Sequence, residues 1–63
     1  MRLKSRREEL KLLQKDVSKA TGISQCTISK YENGVLQVKP VYMKKLAAAL
    51  KTDVQTLFFS EED

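Results

Sequence analysis

Residues 12–34 read LLQKDVSKATGISQCTISKYENG, two helix-length runs separated by Gly22-Ile23-Ser24. Gly22 suits the left-handed conformation that closes a helix. Ser24 is a good N-cap for the run that follows, and Ile23 and Ile28 fall at the N′ and N4 positions of a hydrophobic staple. Gly34, helped by Asn33, supplies the second stop. A turn of only a few residues forces two helices into a steep crossing, the arrangement of a helix-turn-helix over about residues 14–33. An ordinary helical hairpin in a small bundle has the same periodicity. The residue types of the second run must decide between them.

Outside this stretch the apolar residues also recur at helical spacing. Leu3 and Leu10 lie seven apart, Val17 and Ala20 three apart, and Met43, Leu46, Ala47 and Leu50 form an i, i+3, i+4, i+7 stripe. The nearest approach to strand alternation, LQVKPVY, is interrupted by Pro40. The expectation is a single all-α domain over residues 1–63 with about five helices. The first spans roughly residues 2–10 and the second 14–21. The third covers 25–33, and the fourth runs from Pro40 to Leu50 or Lys51. A short last helix lies at about 53–59, capped by Asp53.

On a wheel of 100° steps, Ile28, Tyr31 and Glu32 share one side of the third helix. Cys26, Lys30 and Asn33 share the other, with Ser29 at its edge and Gln25 in the first turn. The outward set offers donors, acceptors, a small thiol and one cation, but no large apolar group. Such a face suits hydrogen bonding to base edges and phosphates in a DNA major groove, which admits a helix. The alternative is a plain solvated face. Solvated faces favour Glu, Lys and Gln, whereas Cys-Thr-Ile-Ser is poor helix material, and short side chains let a backbone approach another surface.

Totals narrow the function classes. At 63 residues the chain is near the size where one core is only marginally sufficient. One cysteine permits no intrachain disulfide, and the lack of histidine removes the usual zinc ligand sets. No metal or other cofactor is expected. The opening MRLKSRREEL carries charge where a signal peptide needs an apolar stretch, and no run is long enough to cross a bilayer, so a soluble cytoplasmic protein is expected. All 12 Lys and Arg fall within residues 1–51, where Glu8, Glu9, Asp16 and Glu32 leave a balance of +8. Asp53, Glu61, Glu62 and Asp63 close the chain at −4, for a net +4. A basic body points to a polyanionic partner, with the acidic tail turned away from it. With no histidine, no clustered carboxylate pair, no phosphate-cradling glycine loop and no room for a pocket, an enzyme and a small-molecule substrate are not expected.

The stretch at 12–34 resembles the signature of phage-repressor (Cro-like, lambda-repressor-like) helix-turn-helix domains. Leu12, Gln14, Val17, Gly22, Ile23, Ser24, Ile28, Ser29, Glu32, Asn33 and Gly34 stand at its characteristic positions. The likeness continues through Pro40, the Met43-Leu46-Ala47-Leu50 stripe and Val54-Leu57-Phe58, nearly the whole chain. It implies a compact five-helix DNA-binding domain, and it implies roles position by position. Gln14 matches a residue that grips a DNA phosphate and packs beside the first recognition-helix side chain. Ser24, Gln25, Cys26 and Lys30 match positions that face DNA, the last three nearest the bases. Thr27 and Ser29 match flanking positions, and Asn33 and Lys39 match phosphate contacts. Arg7 and Glu32 match an ion pair that ties the first helix to the third. Gln25 is the foremost candidate for a specific base contact, because its amide both donates and accepts at adenine N6 and N7. Lys30 suits guanine or a phosphate, and Cys26 a thymine methyl or a passive spacer. Arg2, Arg6 and Lys11 are candidates for further phosphate contacts, although each reads first as a solvated surface charge.

The chain departs from the family pattern at Leu13, which removes the N-cap side chain of the second helix, and at Thr52, where an apolar residue is usual. Ser18 stands where alanine is common, which implies a looser contact between the two helices. Members of the family bind palindromic operators as dimers, implying a homodimer here. Val54, Phe58 and Phe59 are the apolar candidates for an isologous contact. The leading expectation is a transcriptional repressor of double-stranded DNA. The competing one is an antitoxin or other protein-interaction module in which DNA binding is secondary.

Overall fold

The computed structural model describes residues 1–59, so the expected acidic tail at Glu61, Glu62 and Asp63 lies outside the described residues. Five helices follow in order: α1 (Leu3–Glu9), α2 (Gln14–Thr21), α3 (Gln25–Glu32), α4 (Pro40–Ala49) and α5 (Val54–Phe58). The described chain is all-helical, as the spacing predicts, and measures 26 × 23 × 19 Å. Every helix expected from the sequence is present, with ends trimmed to capping positions. Arg2 and Leu10 flank α1, Asn33 is the C-cap of α3, and α4 stops at Ala49 with Leu50 as its cap. Asp53 and Phe59 are the two caps of α5, and the Asp53 carboxylate accepts from the Thr56 amide at 2.6 Å.

The core gathers one or more residues from every helix: Leu3, Val17, Ile23, Ile28, Tyr31, Leu46, Ala47, Leu50 and Leu57. Burying each large side chain in it contributes about 1.5–3 kcal/mol, which is why a chain this short can fold without a staple. α2 packs against both α3 and α4, and α5 closes the bundle against α4 and α1. The Arg2 amide donates to the Leu57 carbonyl at 2.8 Å, joining the start of α1 to α5. One expected core residue is displaced. Ala20 is exposed, and Thr21 is buried in its place. Thr21 meets the cost of burying its hydroxyl by donating to the Val17 carbonyl at 2.7 Å and accepting from the Ile23 amide at 3.2 Å.

Four of the helices end on a residue with positive φ. Gly22 at +78° and Gly34 at +73° close α2 and α3, as their identity predicts. Lys11 at +58° and Lys51 at +56° close α1 and α4 in the same way without glycine's conformational freedom. At both lysines the backbone makes the paired bonds of a Schellman motif. Lys11 donates to Glu8 and Leu12 to Arg7, while Lys51 donates to Ala48 and Thr52 to Ala47. Two of the three charges expected to be solvated near α1, Arg2 and Arg6, are engaged instead, while Lys11 is exposed. Arg6 donates to the carbonyls of Leu50 and Lys51 at 2.9 and 3.0 Å, and Arg2 pairs with Glu9 at 2.9 Å. A guanidinium at a helix C-terminus satisfies orphan carbonyls and opposes the negative end of the helix dipole.

Candidate nucleic-acid interface

The turn between α2 and α3 is held by side chains as well as by its backbone. Gly22 turns the chain, its amide donating to the Ser18 carbonyl at 2.8 Å. The Ser18 hydroxyl donates to the Ile23 carbonyl at 2.6 Å. Serine at this position therefore ties α2 to the turn residue that leads into α3, where the family pattern implied a looser contact between the two helices. The hydroxyl has a nearby acceptor that an alanine methyl would leave unpaired.

α3 starts at Ser24, whose Oγ accepts from the Thr27 amide at 3.2 Å and donates to Thr27 Oγ1 at 2.8 Å. Ile28 and Tyr31 are buried, and the Glu32 side chain is 3% exposed, so this side of the wheel faces inward. Ser24, Gln25, Cys26, Lys30 and Asn33 are all exposed, while Thr27 and Ser29 are half-buried at the flanks. The Asn33 amide donates to Ser29 Oγ at 3.4 Å. Cys26 is a free, exposed thiol. Lys39 is exposed at the N-cap of α4, with Pro40 in the first turn behind it.

Beneath this face sits the pair implied at sequence level. Arg7 Nε donates to Glu32 Oε2 at 2.7 Å and Arg7 Nη2 to Oε1 at 3.1 Å, a two-pronged contact. A third guanidinium nitrogen, Nη1, donates to the Leu12 carbonyl at 2.8 Å. Hydrogen bonding to Glu32 holds the Arg7 guanidinium above its ordinary value, outweighing the opposite effect of burial. A further bond, with no separate signal in the sequence, joins this group. Gln14 Nε2 donates to Glu32 Oε1 at 3.1 Å, so Gln14, half-buried at the start of α2, already has a partner within the chain. Leu13 has no capping side chain, yet its amide donates to the Asp16 carboxylate at 2.7 Å and half of a capping box survives.

The C-terminal candidates separate. Val54 and Phe58 are partly buried against the core, whereas Phe59 is 63% exposed. Phe58 and Phe59 line an open groove of about 370 Å³ together with Met1, Leu36, Val38 and Met43. Of the exposed large apolar residues, Met1, Leu36 and Phe59 share this one groove. Among the described residues no helix is long and apolar enough to cross a membrane.

Two helices joined by a three-residue turn, the second exposing a polar face over a buried ion pair, define a helix-turn-helix DNA-binding domain. A family model described as helix-turn-helix matches residues 3–57. The chain belongs to the Cro/lambda-repressor-like helix-turn-helix family, a family of DNA-binding regulators and not of enzymes. Comparison with curated proteins and with solved structures returned no significant match.

Proposed function

We propose that this protein is a transcriptional repressor that binds a palindromic double-stranded operator as a homodimer, with α3 in the major groove. The observation that carries the reading is the division of α3. Ile28, Tyr31 and Glu32 are spent on the interior, and Gln25, Cys26 and Lys30 stand free on the opposite side. In this reading Gln25 contacts an adenine edge, Cys26 lies against a thymine methyl, and Lys30 and Ser29 reach neighbouring bases. Gln14, Ser24, Thr27, Asn33 and Lys39 hold the phosphates that fix register. The protein works in the cytoplasm, where its DNA is.

In this reading the dimer contact is the groove that Phe58 and Phe59 line, with exposed Phe59 leading it and Val54, partly buried against the core, contributing from the same helix. Tyr31 and Gly34 also line that groove, so in this reading the two-fold axis relates the C-terminal ends of the two α3 helices. Their N-terminal, base-reading ends then point away from the axis toward half-sites about 34–36 Å apart.

Selection of bound duplexes from random DNA tests the proposal. A palindromic consensus supports repressor-like reading by a dimer. An asymmetric consensus removes the dimer, and no enrichment favours the interaction-module alternative.

A further inference from the structure

We infer that Glu32 is a positioning residue for DNA contact, its carboxylate setting which way the Gln14 amide faces. The inference rests on the proposed reading of Gln14 as a phosphate contact. Glu32 lies on α3, Gln14 on α2 and Arg7 on α1, so one carboxylate joins three helices. With a side-chain exposure of 3% against 11% for Arg7, it is the more deeply set member of the ion pair. Its Oε1 accepts from both Arg7 and Gln14, each at 3.1 Å.

A glutamine amide free in water rotates through two faces, one presenting N–H groups and the other a carbonyl oxygen. Beside Glu32 only one of them is allowed. Turning the amide over would set its carbonyl oxygen against a carboxylate oxygen at hydrogen-bond distance, two acceptors with no proton between them. The carboxylate therefore fixes the amide nitrogen inward. One N–H is spent on Glu32, leaving the second N–H and the carbonyl oxygen for groups outside. A donor for a phosphate oxygen is thus set in place before DNA arrives, which lowers the ordering cost of binding. Arg7 acts one step further back. Its two bonds hold the carboxylate in plane and neutralise a charge that would otherwise repel the duplex.

The test is a double-mutant cycle on a duplex recovered by the selection described above. Gln14→Ala in the natural chain is expected to weaken binding about three- to tenfold, the range for one hydrogen bond. The same substitution is then made in an Arg7→Met/Glu32→Met background, because replacing a whole buried ion pair by apolar groups generally preserves folding. There the loss is expected to shrink below about twofold, since a free amide has no preset orientation to lose. Equal losses in the two backgrounds overturn the inference. No loss on Gln14→Ala in the natural chain, with binding otherwise intact, removes the phosphate contact and the inference with it. Failure of the natural chain to bind any selected duplex strikes the proposed function itself. A second measurement needs no DNA. In the free ¹⁵N-labelled protein, the Gln14 side-chain amide protons are expected to be well separated and slowly exchanging, and to collapse to free-glutamine values in the Arg7→Met/Glu32→Met chain. An amide signal unmoved by that change also overturns the inference.

Discussion

The guanidinium of Arg6 donates through Nε to the Leu50 carbonyl at 2.9 Å and through Nη2 to that of Lys51 at 3.0 Å, so α1 closes the C-terminal end of α4. These are the carbonyls that a helix leaves without partners of its own. Arg6→Met keeps most of the apolar stem and removes both bonds. It is expected to cost about 1–3 kcal/mol, measured by chemical denaturation, because the contacts are charge-assisted and the Nε bond is half-buried. A change below about 0.3 kcal/mol would mean that water replaces the guanidinium freely.

Positive φ at a lysine and at a glycine predicts opposite outcomes for substitution. Lys51→Gly relieves a left-handed backbone at +56° and keeps the carbonyl that Arg6 uses, so it should raise stability by up to about 1 kcal/mol. Gly22→Ala should lower it by about 1 kcal/mol. A Cβ at Gly22 meets nothing within 4 Å, so the penalty there is one of backbone conformation alone. Thermal melts of both variants check the pair of signs.

The Ser18 hydroxyl bonds the Ile23 carbonyl across the turn at 2.6 Å. Ser18→Ala, although alanine is common at this position in the family, should destabilise this chain by about 1 kcal/mol by leaving that carbonyl unpaired. A melting temperature equal to or above that of the natural chain contradicts this.

Acid sensitivity has an assignable source at α5. The Thr56 backbone amide, and then its hydroxyl, lower the Asp53 carboxyl below its ordinary value of 3.8. A lowered folded-state value means the ionised carboxylate favours the fold. Its contribution is present above the ordinary aspartate range and is lost as pH falls through the folded value. Asp53→Asn keeps a capping oxygen and removes the titration. The stability difference between natural and variant chains should therefore be constant from pH 7 to 5, then move in the variant's favour toward pH 2. Parallel profiles would place the acid-sensitive group elsewhere.

Specific reading predicts that Gln25→Ala weakens binding to the selected duplex by about 1–3 kcal/mol and relaxes preference at one base pair. Equal weakening on selected and scrambled duplexes, in a fluorescence titration at fixed salt, contradicts a base contact.

Much of the fold is legible in the sequence because its signals are local. Gly22, Gly34, Ser24, Pro40 and Asp53 each determine a helix end through their own backbone or side chain. Lys11 and Lys51 are not legible, since the left-handed turn at each is imposed by paired backbone bonds and packing that a lysine merely tolerates. Arg6 illustrates a second kind of silence. Its partners lie 44 and 45 positions away, and nothing in residues 2–10 distinguishes a capping guanidinium from a solvated one. Thr21 and Ala20 exchange places because a threonine that finds partners for its hydroxyl can be buried, and periodicity cannot foresee those partners. At the candidate interface the inward and outward halves of α3 follow from the wheel alone. The bond from Gln14 to Glu32 does not, because it depends on where α2 lies relative to α3.

Ile28, Tyr31 and Glu32 bind α3 to the rest of the molecule, and none of them belongs to the set Gln25, Cys26 and Lys30. The residues proposed to read bases are thus not the ones that anchor the helix. Exchanging Gln25, Cys26 and Lys30 is expected to change the address while leaving the bond from Gln14 to Glu32, and the register it helps to set, in place.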